Sequence, residues 1–163
     1  MNISLTKRLF ILFFVGFTSL FASVARSEND AERKTGGDRL LGVWEPSNGR
    51  ARVKIEKIGV KYYGKIVWLK EPNDPETGLP KTDKNNPDAT LQKVSLKGYR
   101  MLKDFVYQKN NEWSEGTIYD PLNGSTYSCT IKMTDPNTLE IRGYIGVSAF
   151  GRTDVWKRLA IKK

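Results

Sequence analysis

The chain has 163 residues, 39% of them apolar, with 27 basic and 18 acidic side chains and no histidine. Without histidine, a Ser-His-Asp triad, an imidazole general base and a His-ligated zinc site are all excluded. The single cysteine, Cys129, likewise excludes an intramolecular disulfide and any Cys-x-x-Cys redox or zinc pair.

At the N-terminus, Lys7 and Arg8 precede an almost wholly apolar run over 9–21, and the small residues Ala22-Ser23-Val24-Ala25 follow. That order of charge, apolar run and small residues is the order of a secretory signal peptide over 1–25, with cleavage expected after Ala25. The run falls short of the ~20 apolar residues that span a bilayer, so the mature chain is expected to be soluble and to carry no membrane span. Residues 26–163 suffice for one core that folds without disulfide or metal, and no cofactor is expected. Export without disulfides fits a bacterial periplasmic protein. Setting aside Lys7 and Arg8 leaves 25 basic against 18 acidic residues, a net charge of +7. Such a balance favours an anionic envelope component as partner, whether lipid headgroups, lipopolysaccharide or an acidic glycan; no nucleic-acid motif is present. The charges are scattered, with no run of five or six, which also fits a plain solvated surface.

Residues 26–38 are polar, include Gly36-Gly37 and lack apolar periodicity, so they read as a flexible leader before a single domain over 39–163. From there, β-branched and aromatic runs alternate with turn residues, and no apolar stripe keeps a helical period. Strands are expected near 41–45, 51–56, 60–69, 101–108, 112–119, 126–133, 138–145 and 152–160. The period of two is clearest where Ala51, Val53 and Ile55 alternate with Arg52, Lys54 and Glu56, and where Tyr127, Cys129, Ile131 and Met133 alternate with Ser128, Thr130 and Lys132. Pro46-Ser47-Asn48-Gly49, Asn110-Asn111 and Asp120-Pro121-Leu122-Asn123-Gly124 supply the turns. Eight or nine sequential strands with no covering helix predict an all-β, antiparallel up-and-down barrel, because closure removes exposed edges. A two-sheet sandwich is the alternative.

The segment 70–90 interrupts the rhythm. It holds Pro72, Pro75, Pro80 and Pro87, four of the seven prolines, with Asp74, Glu76, Asp83 and Asp88. Such a loop is a candidate cap over a barrel mouth. Its Asp83-to-Asp88 run has oxygen ligands but lacks the glycine and distal glutamate of an EF-hand, so its Asn and Asp read as turn formers and no metal is assigned.

Several motifs occur together and in order: Gly42-Val43-Trp44, Tyr63-Gly64-Lys65-Ile66, Asp83 with Asn86-Pro87, Gly98, Gly116-Thr117-Ile118-Tyr119-Asp120-Pro121 with Gly124 and Tyr127, Arg142-Gly143-Tyr144, and Gly151-Arg152 with Trp156 and Arg158. The set resembles the bacterial family catalogued as domain of unknown function 2147, over nearly all of 40–159. The resemblance implies an exported protein with a calycin-type, lipocalin-like β-barrel, and it brings no catalytic residues. It also implies that Trp44 on the first strand packs across the closed end under Arg158 of the last. Trp44, Trp156 and Arg158 are accordingly structural candidates.

The remaining strand aromatics and charges, Trp68, Trp113, Glu115, Tyr119, Tyr127, Arg142, Tyr144 and Arg152, are where binding is expected. The preferred set is Trp68, Trp113, Glu115, Tyr119, Tyr127 and Arg142, with Glu115 and Arg142 as polar anchors in a lumen ringed by Tyr119 and Tyr127. Pairing of those charges at the rim or in solvent is the competing expectation, as is a bulge at Gly116 that switches faces midway. Cys129 reads as a small buried hydrophobe. The favoured function is a non-enzymatic envelope barrel that binds a small apolar or amphipathic ligand, with the 70–90 loop gating its entrance. Two others stay open: a surface module for an acidic glycan, lipopolysaccharide or a partner protein, and a carboxylate-dependent envelope enzyme using Glu115 or Asp120.

Overall fold

The computed structural model describes residues 36–160; the expected signal peptide at 1–25 and most of the expected leader at 26–38 lie outside them. Eight strands follow one another: β1 (Gly42–Glu45), β2 (Ala51–Ile58), β3 (Lys61–Leu69), β4 (Arg100–Tyr107), β5 (Glu112–Asp120), β6 (Ser125–Asp135), β7 (Thr138–Tyr144) and β8 (Arg152–Arg158). Each pairs antiparallel with the next, and β8 returns to β1 through Trp44 opposite Arg158 and Glu45 opposite Lys157. The fold is a closed eight-stranded barrel, not a sandwich. Among the described residues, no helix is long and apolar enough to cross a membrane.

Alternation in the sequence becomes inside and outside. On β2, Val53 and Ile55 are buried and Lys54 is exposed; on β6, Cys129, Ile131 and Met133 are buried and Lys132 is exposed. Tyr62, Trp113 and Tyr107 stack in the interior, with Tyr62 edge-on to Trp113 at 6.4 Å between ring centroids and Tyr107 at 5.2 Å from it. A 3₁₀ turn over Gly37–Leu40 lies over these rings, with Gly37 against Tyr62 and Tyr107. Asp38 accepts hydrogen bonds from the Tyr62 hydroxyl and from Lys57. Residues 36–38, at the end of the expected leader, are thus held against the barrel through Gly37 and Asp38.

Closure depends on Arg158. Its guanidinium lies 4.1 Å from the centroid of the Trp44 ring. It also donates to the carbonyls of Leu41 at 2.7 Å, Arg39 at 2.6 Å and Pro136 at 2.8 Å. Gly42 has φ of +141°, and a Cβ there would meet Arg158 Nη1, so no side chain fits beneath the guanidinium. Trp44 Nε1 donates to the Leu40 carbonyl at 2.9 Å. The pairing implied by the family resemblance is present.

The long β3–β4 connection is pinned to the wall. Asp83, fully buried, accepts from the Tyr119 hydroxyl at 2.8 Å and from Asn86 Nδ2 at 2.6 Å. Asn85 Nδ2 donates to the carbonyls of Pro121 and Leu122 in the β5–β6 turn. Gly124 in that turn has φ of +70°, and a Cβ there would collide with the Asn85 carbonyl. Tyr99 packs on Tyr119 with centroids 5.3 Å apart.

Replacing Arg158 with Met removes three charge-assisted bonds and the contact with Trp44, and is expected to cost about 2–4 kcal/mol in urea unfolding. Lys at 158 should recover little, since one ammonium cannot serve three carbonyls and stack flat. Tyr119→Phe leaves one buried Asp83 oxygen without its donor and should cost about 1–3 kcal/mol, with faster proteolysis of the loop. Burial and the bond to Asp83 raise the Tyr119 phenol above its usual value. Its contribution is therefore complete below pH ~10 and declines as pH rises beyond that, a slope that Tyr119→Phe should flatten. Burial pushes the Cys129 thiol up to about 12. A thiol reagent at mildly alkaline pH should accordingly label Cys129 only at the rate of unfolding.

Candidate functional site

In an up-and-down barrel, the connections β1–β2, β3–β4, β5–β6 and β7–β8 share one end. At that end a cavity of about 750 Å³ opens, within the range of ~300–1,000 Å³ typical of small-molecule sites. Trp44, Tyr62, Phe105, Tyr107 and Trp113 of the core do not line it, whereas Trp156 does. Met101, Ile118, Ile141 and Trp156 form its apolar lining, and Asp120, Tyr127, Tyr144, Arg152 and Asp154 bring polar groups to it. Leu122 from the β5–β6 turn, Ile145 and Phe150 from the β7–β8 connection, and Pro46 and Asn48 from the β1–β2 turn complete it.

Strand register explains who lines the cavity. Gly143 lies opposite Arg152, Ile141 opposite Asp154 and Leu139 opposite Trp156, so Arg152, Asp154 and Trp156 share a face with Ile141 and the buried Leu139. Asp154 is oriented by its neighbours: Oδ2 accepts from Trp156 Nε1 at 2.8 Å and Oδ1 from the Val155 amide at 2.9 Å. Asp120 Oδ1 accepts from the Leu122 amide at 2.9 Å. The Tyr127 hydroxyl accepts from Asn123 Nδ2 at 2.9 Å. Among the described residues, Arg152 has no ion-pair partner. The cavity therefore offers an indole and aliphatic lining, two carboxylates, three phenols and one uncommitted guanidinium.

The residues expected to form the site divide. Tyr127 and Tyr119 border the cavity, Tyr119 with its hydroxyl committed to Asp83. Trp113 is a core residue whose Nε1 has no partner among the described residues. Trp68 is on the outside, with the Arg52 guanidinium 4.3 Å from its ring centroid. Glu115 is exposed and accepts from Gln108. Arg142 secures the β7–β8 connection through Ser148, Ala149 and Thr153. Arg142 and Trp113 both border a smaller depression of about 250 Å³ along β5, β6 and β7, which Glu115 does not line. Glu115 and Arg142 are thus not brought together in the lumen.

The physical reason is a bulge. Glu115 has φ of +65°, and the register of β5 on β6 jumps between Trp113 opposite Ile131 and Gly116 opposite Cys129. Trp113, Gly116 and Ile118 consequently share one face, while Tyr119 turns to the long loop. That loop does not gate the entrance: among the described residues, none of 70–99 borders the cavity. Sequence reasoning missed Ile118, Ile141 and Asp154 and assigned Trp156 a structural role only. The alternation of Arg152, Asp154 and Trp156 on one strand face was the signal available.

No curated protein matches this chain. A solved structure described as "Protein HP1028 from the human pathogen Helicobacter pylori belongs to the lipocalin family" is similar to it, with a TM-score of 0.64 and 25% identity, covering 74% of this chain and 83% of that one. The closed barrel, its Trp44–Arg158 closure and the cavity at its opposite end agree with a lipocalin-like fold. Residues 42–158 match the family described as "Uncharacterized protein conserved in bacteria (DUF2147)", and the chain belongs to that family.

Proposed function

We propose that this protein is an exported, non-enzymatic carrier of the bacterial envelope that holds a small apolar or amphipathic molecule in the mouth cavity. The observation that supports it most directly is the cavity itself. Its lining of Met101, Ile118, Ile141 and Trp156 favours an apolar body. Arg152, Asp154, Tyr127 and Tyr144 supply the few polar groups that orient a ligand in such sites. A solid barrel would have filled this half with large side chains, as it fills the other. The signal-like N-terminal sequence supports periplasmic location, where such a carrier meets envelope lipids or metabolites.

Two results are expected. Protein purified from its native periplasm should show a bound small molecule in native mass spectrometry, and a uniformly apo mass would count against the reading. Ile141→Trp, which fills the lining without altering charge, should abolish uptake of an apolar fluorescent probe while the thermal midpoint moves by only a few degrees. Undiminished uptake would place the probe elsewhere.

A further inference from the structure

The β7–β8 connection carries no charge from Tyr144 to Gly151 and is bracketed by Arg142 and Arg152. Its apolar side chains face solvent: Phe150 is 86% exposed, Ile145 77% and Val147 58%, and Leu122, in the β5–β6 turn bordering the same cavity, is 67% exposed. The connection is held in place. Arg142 donates to the carbonyls of Ser148 at 2.9 Å and Ala149 at 3.1 Å, and the amides of Phe150 and Gly151 close a 3₁₀ turn over Ser148–Phe150. Its apolar groups are therefore presented by a pre-organised element and are not folded back onto the barrel. Ile58 and Val60 are also exposed, but at the opposite end and between Lys57 and Lys61, which pair with Asp38 and Asp104.

Charge at this end selects the partner. Arg152 has no ion-pair partner among the described residues, and Arg50 and Lys70 are exposed where the β1–β2 turn meets the end of β3. The nearby carboxylates are engaged: Glu45 pairs with Arg52, Glu71 with Lys81, and Asp120 and Asp154 accept hydrogen bonds at the cavity. Without Lys7 and Arg8 the chain carries 25 basic against 18 acidic residues, a net charge of +7. Exposed, uncharged apolar tips beside the exposed cations Arg50 and Lys70 and the unpaired Arg152 match an anionic lipid interface. There, apolar groups enter the acyl boundary and guanidinium or ammonium groups stay with the phosphates. An apolar protein partner would gain from the tips but not from the cations.

We propose that the mouth end docks on an anionic lipid bilayer, with Ile145, Val147, Phe150 and Leu122 entering the interface and Arg152, Arg50 and Lys70 meeting the headgroups. In that pose the cavity opens onto the lipid phase. Docking is a property of the rim and does not depend on what the cavity holds.

The test is co-sedimentation of the purified protein with phosphatidylcholine vesicles containing about a third phosphatidylglycerol, against phosphatidylcholine alone. Binding should require the anionic lipid and fall with added salt. The double change Phe150→Asp with Val147→Asp should lower partition at least about tenfold, whereas Val60→Asp, at the far end, should leave it unchanged. With Phe150→Trp, emission should shift to the blue on vesicle addition and be quenched by brominated lipid, which reads insertion directly and tolerates loss of the other variants to misfolding. Failure of the unmodified protein to bind anionic vesicles overturns the proposal. So does undiminished binding by the double variant, which would assign attachment to another part of the chain, residues 1–35 included. A concentration-dependent dimer that the double variant abolishes, without vesicle binding, would make the rim a contact between copies and equally overturn it.

Discussion

The contact of Arg158 with Trp44 joins the last strand to the first, and the barrel depends on it. A sheet of eight short strands has two edges, and here they are stitched to each other by few paired residues, Trp44 with Arg158 and Glu45 with Lys157. So short a seam draws on side chains. One guanidinium covers the indole and takes three carbonyls from two segments, the stretch entering β1 and the β6–β7 turn, and planar geometry lets Arg do both at once. Gly42 is the complementary constraint, because the guanidinium occupies the place of its missing side chain.

Sealing one end has a consequence at the other. Tyr62, Tyr107 and Trp113, with the Gly37–Leu40 turn over them, fill the closed half to ordinary core density. On the mouth side, Gly143 and the short side chains of Ile118 and Ile141 stand where filling the lumen would need rings. Trp156 lies between the two regimes, buried among core residues yet bordering the cavity, with its ring nitrogen held by Asp154. An apolar chamber with a few oriented polar groups is what remains when a small barrel packs only half its interior.

The long proline-rich connection has a supporting role. By burying Asp83 against Tyr119 and Asn86, and by hydrogen bonding Asn85 to the β5–β6 turn, it braces one side of the mouth without covering it. A buried carboxylate with two donors is costly to displace, so this side of the rim is held firmly. The apolar β7–β8 connection is braced separately, by Arg142.

Local pattern alone determined the strands and the turns and favoured a barrel over a sandwich, since a period of two and turn chemistry are properties of adjacent residues; the pairing of Trp44 with Arg158 was implied by the family resemblance and not by that pattern. It did not determine the facing of Trp113, Glu115 and Tyr119. One residue in a left-handed conformation, Glu115, shifts every side chain after it; Gly116 marked a bulge as possible, but only the pairing of β5 with β6 fixed where the register jumps. Nor did it show that Asp83 belongs to Tyr119, 36 positions away, or that Arg142 serves the connection beside it and not the lumen. Alternation already put Arg152, Asp154 and Trp156 on one face of β8; only the folded barrel decided that this face shares a chamber with Met101 of β4 and Ile118 of β5, because that neighbourhood arises from curling the sheet into a closed cylinder.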